Sequence, residues 1–247
     1  MSTLAWICRD GSRGCSRLAE LAGLATAADR LAELVQEEII ELARLSELAR
    51  QRIVDQWNFG SDSMALTEST MLELGTTAPD FALPNVVTGK TVRRDEFRGQ
   101  KGLLVMFICT HCPYVKHIEK GLAQLGADYG GKLPIVAISS NDADSYPDDS
   151  PAELKRQAET MGFKFPYLYD ETQAVAHAYK AACTPDIYLF DGAFKLVYRG
   201  QFDESRPGSG VPVTGKDLRA ALDAVLRGEK PGANQLASIG CNIKWKD

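Results

Sequence analysis

No run of eighteen apolar residues occurs in this 247-residue chain, so no transmembrane helix is expected. The opening stretch, MSTLAWICRDGSRG, lacks the long apolar segment of a secretory leader, and a cytoplasmic protein is expected. Positive charge is not in excess. A formal net charge of −5 argues against a dominant surface for nucleic acid or anionic membrane. Histidine is scarce, with 3 residues, and no second tight pair of metal ligands accompanies the cluster around residue 110, so a four-ligand structural zinc site is not expected. The 6 cysteines, at 8, 15, 109, 112, 183 and 241, lack the spacing of a small disulfide-framed domain. In a reducing compartment they read as redox-active, metal-binding or inert. Internal repeats and low-complexity tracts are also missing. What remains is an ordinary globular composition, 45% hydrophobic and 25% charged, enough for a sizeable core in one or two domains.

The texture of the chain changes near residue 65. Residues 17–57 are rich in Ala, Leu, Glu and Arg, and Leu31, Leu34, Glu38, Leu42, Leu45 and Leu48 recur at mostly helical spacing, which predicts one or two helices. NFGSDSM, 58–64, reads as a break. Further on, FALPNVVTGKTVRRDEF predicts two short strands about a turn at Thr88-Gly89, and GLLVMFI, 102–108, is an apolar run of buried-strand type. Val115, Ile118, Leu122 and Leu125 then share one helical face. LPIVAISS predicts a second buried strand, and Ser150-Pro151-Ala152-Glu153 a helix start with a capping serine. FPYLYD predicts a strand and ETQAVAHAYKA a helix. DIYLFDGAFKLVYRG predicts a hairpin about Asp191-Gly192. Thr214-Gly215-Lys216-Asp217 opens a last helix, with Leu218, Leu222, Val225 and Leu226 inward and Gly228 as its stop. Strands alternating with helices predict an α/β fold with parallel pairing and right-handed crossovers, made mixed by the hairpin.

Chemistry concentrates in VMFICTHCPYVKH, 105–117. Cys112 immediately precedes Pro113, a favoured first residue of a helix. A cysteine there faces free backbone N–H groups and the positive end of the helix dipole, which favour the nucleophilic thiolate. His111 and Lys116 are positioned to add positive charge. Cys109, on the strand side, has no such help. Cys109, His111, Cys112 and His117 also form a set suited to copper(I) or zinc. His177 reads as helix surface or a packed edge.

Together, APDFALP, FICTHCPYVKH, ACTPDIYLFD, RGQFDESRPG and SIGCNIKW resemble the peroxiredoxin-like branch of the thioredoxin superfamily, the alkyl hydroperoxide reductase / thiol-specific antioxidant (redoxin) group, over residues ~70–247. The resemblance implies a thioredoxin-like fold: a central mixed sheet flanked by helices, here with an N-terminal helical extension. It implies three parts: an extension over 1–66, a redoxin domain over 67–230, and a tail over 231–247 packed back through Ile239, Ile243 and Trp245. Met64 opens what resembles a complete family start, so residues 1–63 are either upstream sequence or a helical extension for a partner or dimer contact.

The resemblance also implies site roles. Aligning Phe107 with the phenylalanine that precedes the family's Cys-Pro-x-Cys makes Cys112 the nucleophile and puts Val115 where a resolving cysteine would sit. Thr184-Pro185 is then a cis bond facing Cys112, with Cys183 close by. Cys109 and Cys183 are the candidate resolving thiols. Thr110, His111, Pro113, Thr184, Pro185 and Arg206 form the substrate face, and Asp203 borders it. Cys241 is assigned to structure, with resolution through a mobile tail as the alternative. Cys8 and Cys15 receive no role. The sequence departs from true peroxiredoxins, since Cys109 stands at the peroxide-binding threonine position and Val105 at the proline position, with Arg199 and Arg206 as the candidate thiolate-stabilising arginines. The implied activity is that of a thiol-based antioxidant or oxidoreductase acting on a peroxide or disulfide. It would need no organic cofactor, and a thioredoxin- or glutathione-type thiol would reduce it. No nucleic-acid or membrane partner is implied, and a homodimer is left open. The alternative is a metal-binding or redox-degenerate interaction module.

Overall fold

Parallel pairing follows the alternation read from the sequence. In a computed structural model, which describes residues 66–246 and the single residue Gln36, β1 is Leu66–Glu68, β2 Ala82–Pro84, β3 Thr91–Arg93 and β4 Gly102–Phe107. Helix α1, Pro113–Tyr129, crosses to β5, Ile135–Ser139, and α2, Pro151–Met161, crosses to β6, Tyr167–Tyr169. Helix α3, Ala174–Tyr179, and the two-residue strand β7, Cys183–Thr184, lead to the hairpin of β8, Asp186–Asp191, and β9, Leu196–Arg199; α4, Lys216–Leu226, and β10, Ile239–Asn242, follow. The central sheet runs β6-β5-β4-β8-β9. Pairing is parallel between β4, β5 and β6 and antiparallel from β4 to β8 to β9. The expectations for residues 1–65, including Cys8, Cys15 and a start at Met64, lie outside the described residues.

Period-two alternation divides the core between the two faces of this sheet. Leu104 and Met106 of β4, Ile135 and Ala137 of β5, and Ile187 and Leu189 of β8 pack with α1, α2 and α4 through Val115, Ile118, Leu122, Leu154, Leu218 and Leu222. Leu103, Val105, Phe107, Val136, Ile138, Tyr188 and Phe190 pack on the other face with α3 and the β2–β3 hairpin through Val175, Tyr179, Phe81 and Leu83. Burying a side chain of the size of Leu or Phe stabilises by about 1.5–3 kcal/mol, so β4, whose residues are all buried, anchors the chain entering the site.

Three local expectations change in detail. The β8–β9 hairpin forms, but its left-handed residue is Phe194 (φ 58°), not Gly192. Phe194 is buried beneath the guanidinium groups of Arg94 and Arg98, contacts that offset its backbone strain. Gly192 has a different role, because a Cβ there would meet the Gln100 carbonyl at 2.8 Å. Ser150 does precede α2, but its hydroxyl makes no cap hydrogen bond.

The expected C-terminal tail is a strand. β10 is the middle of a second sheet, β1-β10-β7, with Cys241 paired to Leu66 on one side and Thr184 on the other. Beyond it, the Lys244 N–H donates to Asn141 Oδ1 at 2.9 Å, the Lys244 carbonyl accepts from Gln173 at 2.7 Å, and the Lys246 N–H donates to Gln173 Oε1 at 2.8 Å. Trp245 is partly exposed and stacks on His177 at 4.1 Å, which gives that histidine its place.

Candidate active site

The apolar drive that buries β4 delivers Cys109 to the strand's end, and Pro113 starts α1 with Cys112 as its N-cap. The Thr184–Pro185 bond opposite is cis, and both residues are buried. Thr184 joins the pieces. Its carbonyl lies 3.0 Å from Cys112 Sγ, its hydroxyl lies 3.3 Å from Cys109 Sγ, and its backbone pairs with Cys241. Cys109, Cys112, Cys183 and Cys241 are all free and buried.

The electrostatics single out Cys112. Burial pushes its thiol up, but the thiols of Cys109 and Cys241, the Cys241 backbone N–H and Thr184 hydrogen-bond to the sulfur and hold it well below the usual thiol range. The N-terminus of α1 acts in the same sense. The neighbours move the other way. Burial and then the Cys112 contact push Cys109 up, whereas for Cys241 the contact with Cys112 comes first, then burial. Burial and the nearby Asp186 push Cys183 up. Of the four cysteines, Cys112 is the one whose ionised form is favoured. Cys183 is the odd one out, since its Sγ faces the carbonyls of Pro185 at 3.5 Å and Ser238 at 3.9 Å.

The residues between the two cysteines are held by Asp149, which the sequence reading passed over. Asp149 ends a short 3-10 helix, Pro147–Asp149, just before α2, and is fully buried. Its Oδ1 accepts from Thr110 N at 2.8 Å, Thr110 Oγ1 at 2.7 Å and His111 N at 3.3 Å. Its Oδ2 accepts from His111 Nδ1 at 2.5 Å and Asn141 Nδ2 at 2.7 Å. Burial alone would raise this carboxyl, but the donors from His111, Asn141 and Thr110 hold it below its ordinary value. Tyr146 stacks on His111 at 5.8 Å, and the Lys244 ammonium lies over the Tyr146 ring at 5.4 Å. In the sequence, Asp149 shows only as an acidic residue ahead of a Ser-Pro helix start.

Among the described residues, the alternative ligand set Cys109, His111, Cys112 and His117 does not come together as one group. His117 turns to Ser205 Oγ at 3.1 Å, and ligand atoms of Cys109, His111 and Asp149 fall within 4.8 Å of one another instead. N–H and O–H donors fill the Asp149 carboxylate, and Cys109 meets Thr184 Oγ1 at 3.3 Å.

The expected substrate face divides in two. Pro185 and Arg206 line one shallow groove with Tyr114, His117, Ser238 and Ile239, and Asp203 borders it as expected. Thr110 and His111 open on another groove, beside Lys116, Glu119 and Arg156. Thr184 lies buried beneath, and Pro113 is exposed at the start of α1. Of the candidate thiolate-stabilising arginines, Arg199 bonds Gln235 at 2.7 Å. Arg206 bonds Gln201 at 2.6 Å and the Asp203 carbonyl at 2.8 Å.

A cysteine capping a helix, a cis-proline opposite it and a mixed five-stranded sheet define a thioredoxin-like thiol oxidoreductase. More narrowly, residues 74–199 match the AhpC/TSA family, and the chain belongs to it. Thiol-disulfide oxidoreductase ResA of Geobacillus thermodenitrificans is 27% identical over 143 residues, covering 54% of this chain and 74% of that protein. The crystal structure of an uncharacterized conserved protein from Geobacillus kaustophilus is 54% identical, covers 74% of this chain and 98% of its own, and superposes with a TM-score of 0.73. A hypothetical protein from Sinorhizobium meliloti 1021 gives 49% identity, 73% and 98% coverage, and a TM-score of 0.71. The activity of the chain is thiol-based oxidation and reduction.

Proposed function

We propose that the substrate is a disulfide and that Cys112 is the attacking sulfur. The observation that carries this is the Cys112 sulfur itself, at the N-terminus of α1 and 3.0 Å from the Thr184 carbonyl of the cis Thr184–Pro185 turn. Cys112 displaces one sulfur of the substrate and forms a mixed disulfide, and a nearby protein thiol or an external one completes the reduction. A peroxide is the less suited substrate. Cys109 stands where a peroxidase would place its threonine, and the Thr110 hydroxyl is committed to Asp149. Arg199 and Arg206 bond to Gln235 and Gln201. A thioredoxin- or glutathione-type thiol would return the protein to its reduced form, in keeping with a cytoplasmic setting.

The test is single turnover. Fully reduced, metal-free protein is mixed with one equivalent of glutathione disulfide or of hydrogen peroxide, and the loss of each oxidant is followed. We expect faster loss of the disulfide, and loss of both reactions in Cys112→Ser. Faster consumption of peroxide would make the protein a peroxidase, and full activity in Cys112→Ser would remove Cys112 from the chemistry.

A further inference from the structure

Thr184 brings two more cysteines to the Cys112 sulfur from different sides: its carbonyl lies 3.0 Å from Cys112 Sγ, its hydroxyl 3.3 Å from Cys109 Sγ, and its backbone pairs with Cys241. Cys109 comes from the end of β4 and faces inward, toward Thr184 and the Asp149 network. Cys241 comes from β10, whose Ile239 lines the groove that also exposes Pro185, Tyr114 and His117. Side chains alternate along a strand, so Cys241 shares a face of β10 with Ile239 and lies on the side where a substrate disulfide meets Cys112. Both residues of the pair are buried in the same core cluster.

The strand is built for this approach. A Cβ on Gly240 would meet the Thr184 carbonyl oxygen at 2.0 Å and Pro185 Cδ at 3.2 Å. Only glycine lets β10 come this near the cis-proline turn, and the closeness sets the Cys241 backbone N–H and thiol against Cys112. Beyond Cys241, the bonds of Lys244 to Asn141 and Gln173 fix the strand from its other end.

We propose that Cys241 is the resolving cysteine of this protein, closing a disulfide with Cys112 across the C-terminal strand. The inference rests on the reading of Cys112 as the nucleophile toward disulfides. The Cys112 thiolate attacks a substrate R–S–S–R′, forming Cys112–S–S–R and releasing R′S⁻. The Cys241 thiol, no longer donating to a thiolate, passes its proton to R′S⁻, and its sulfur attacks Cys112 and expels RS⁻, which takes a proton from solvent. Two protein thiols are oxidised to one disulfide, and one substrate disulfide is reduced to two thiols. Thr184 holds both residues, with its carbonyl 3.0 Å from Cys112 Sγ and its backbone paired to Cys241, and the two sulfurs close to the roughly 2.05 Å of an S–S bond. Cys109 keeps its place as a donor that steadies the Cys112 thiolate.

The experiment uses the reduced full-length protein and glutathione disulfide as the probe, followed by acid quenching, alkylation of remaining thiols and peptide mapping by mass spectrometry. The expected wild-type product is a Cys112–Cys241 disulfide. It still forms in Cys109→Ser, and in Cys241→Ser or Cys241→Ala the Cys112–glutathione adduct persists. A wild-type link from Cys112 to Cys109 or Cys183, or prompt loss of the adduct in both Cys241 variants, overturns the role of Cys241 and leaves Cys112 as the nucleophile. Oxidation that bypasses Cys112 overturns both readings. The wild-type map decides the matter even where a variant folds poorly.

Discussion

Asp149 and Asp186 are both fully buried within one site, yet they titrate in opposite directions. Asp149 collects five hydrogen bonds over its two oxygens and is held below the ordinary carboxylate range. Asp186, directly after the cis-proline, accepts from Ala182 N at 3.1 Å and Tyr188 Oη at 2.9 Å, both on Oδ2, while among the described residues Oδ1 has no hydrogen-bond partner. Burial pushes it up to about 6 against the bonds from Ser69, Ala182 and Tyr188. Burial disfavours each charge alike, so the number of donors decides whether a buried carboxyl stays ionised.

The largest expected effect comes from breaking the donor-rich side. Asp149→Ala strands the His111, Asn141 and Thr110 donors, and a loss of about 3–5 kcal/mol is expected in denaturant unfolding. Asp149, with its depressed pKa, contributes stability above its unfolded pKa that is lost as pH falls through the folded one. Removing it therefore flattens the acid limb of the stability curve.

Asp186 acts in reverse. As pH rises from below 3.8 toward about 6, the unfolded chain ionises while the folded protein resists, so stability falls and then levels off above the folded pKa. Asp186→Asn, with its carboxyl gone, is expected to gain roughly 3 kcal/mol at neutral pH relative to its difference at pH 3. Unfolding measured across that range checks the sign, and an unchanged difference would sink the assignment. Tyr188→Phe removes one of the few donors to Asp186. It should cost about 1 kcal/mol and extend the downward limb of the stability curve to higher pH, with its onset unchanged. Smallest is Ser150→Ala. Its hydroxyl makes no cap bond, so unfolding should register a few tenths of a kcal/mol instead of the ~1 kcal/mol usual for a capping serine. A full capping loss would shift credit for holding this corner from Asp149 to the helix start.

What could be read from the sequence was what is local. The apolar run of β4, the stripe Val115-Ile118-Leu122-Leu125 and Pro113 at a helix start carry their own periodicity and punctuation, and with them came the central sheet and Cys112. The cis-proline came from the resemblance carried by ACTPDIYLFD. The unread parts depend on contacts between distant segments. SIGCNIKW is too short and too weakly alternating to announce a strand, and nothing local says that Gly240 admits Thr184. Asp149 reads as a solvated acid until the turn at 147–149 folds it under Thr110 and His111.

The second sheet also governs the order of assembly. β1, β7 and β10 come from residues 66–68, 183–184 and 239–242, so joining them closes loops of more than fifty and more than a hundred residues. The crossovers of the main sheet close over much shorter spans, and chain entropy lets them form earlier. A chain that has collapsed around β4, β5 and β6 but has not yet seated β10 holds Cys112 at its helix end without the strand that pairs Cys241 to Thr184.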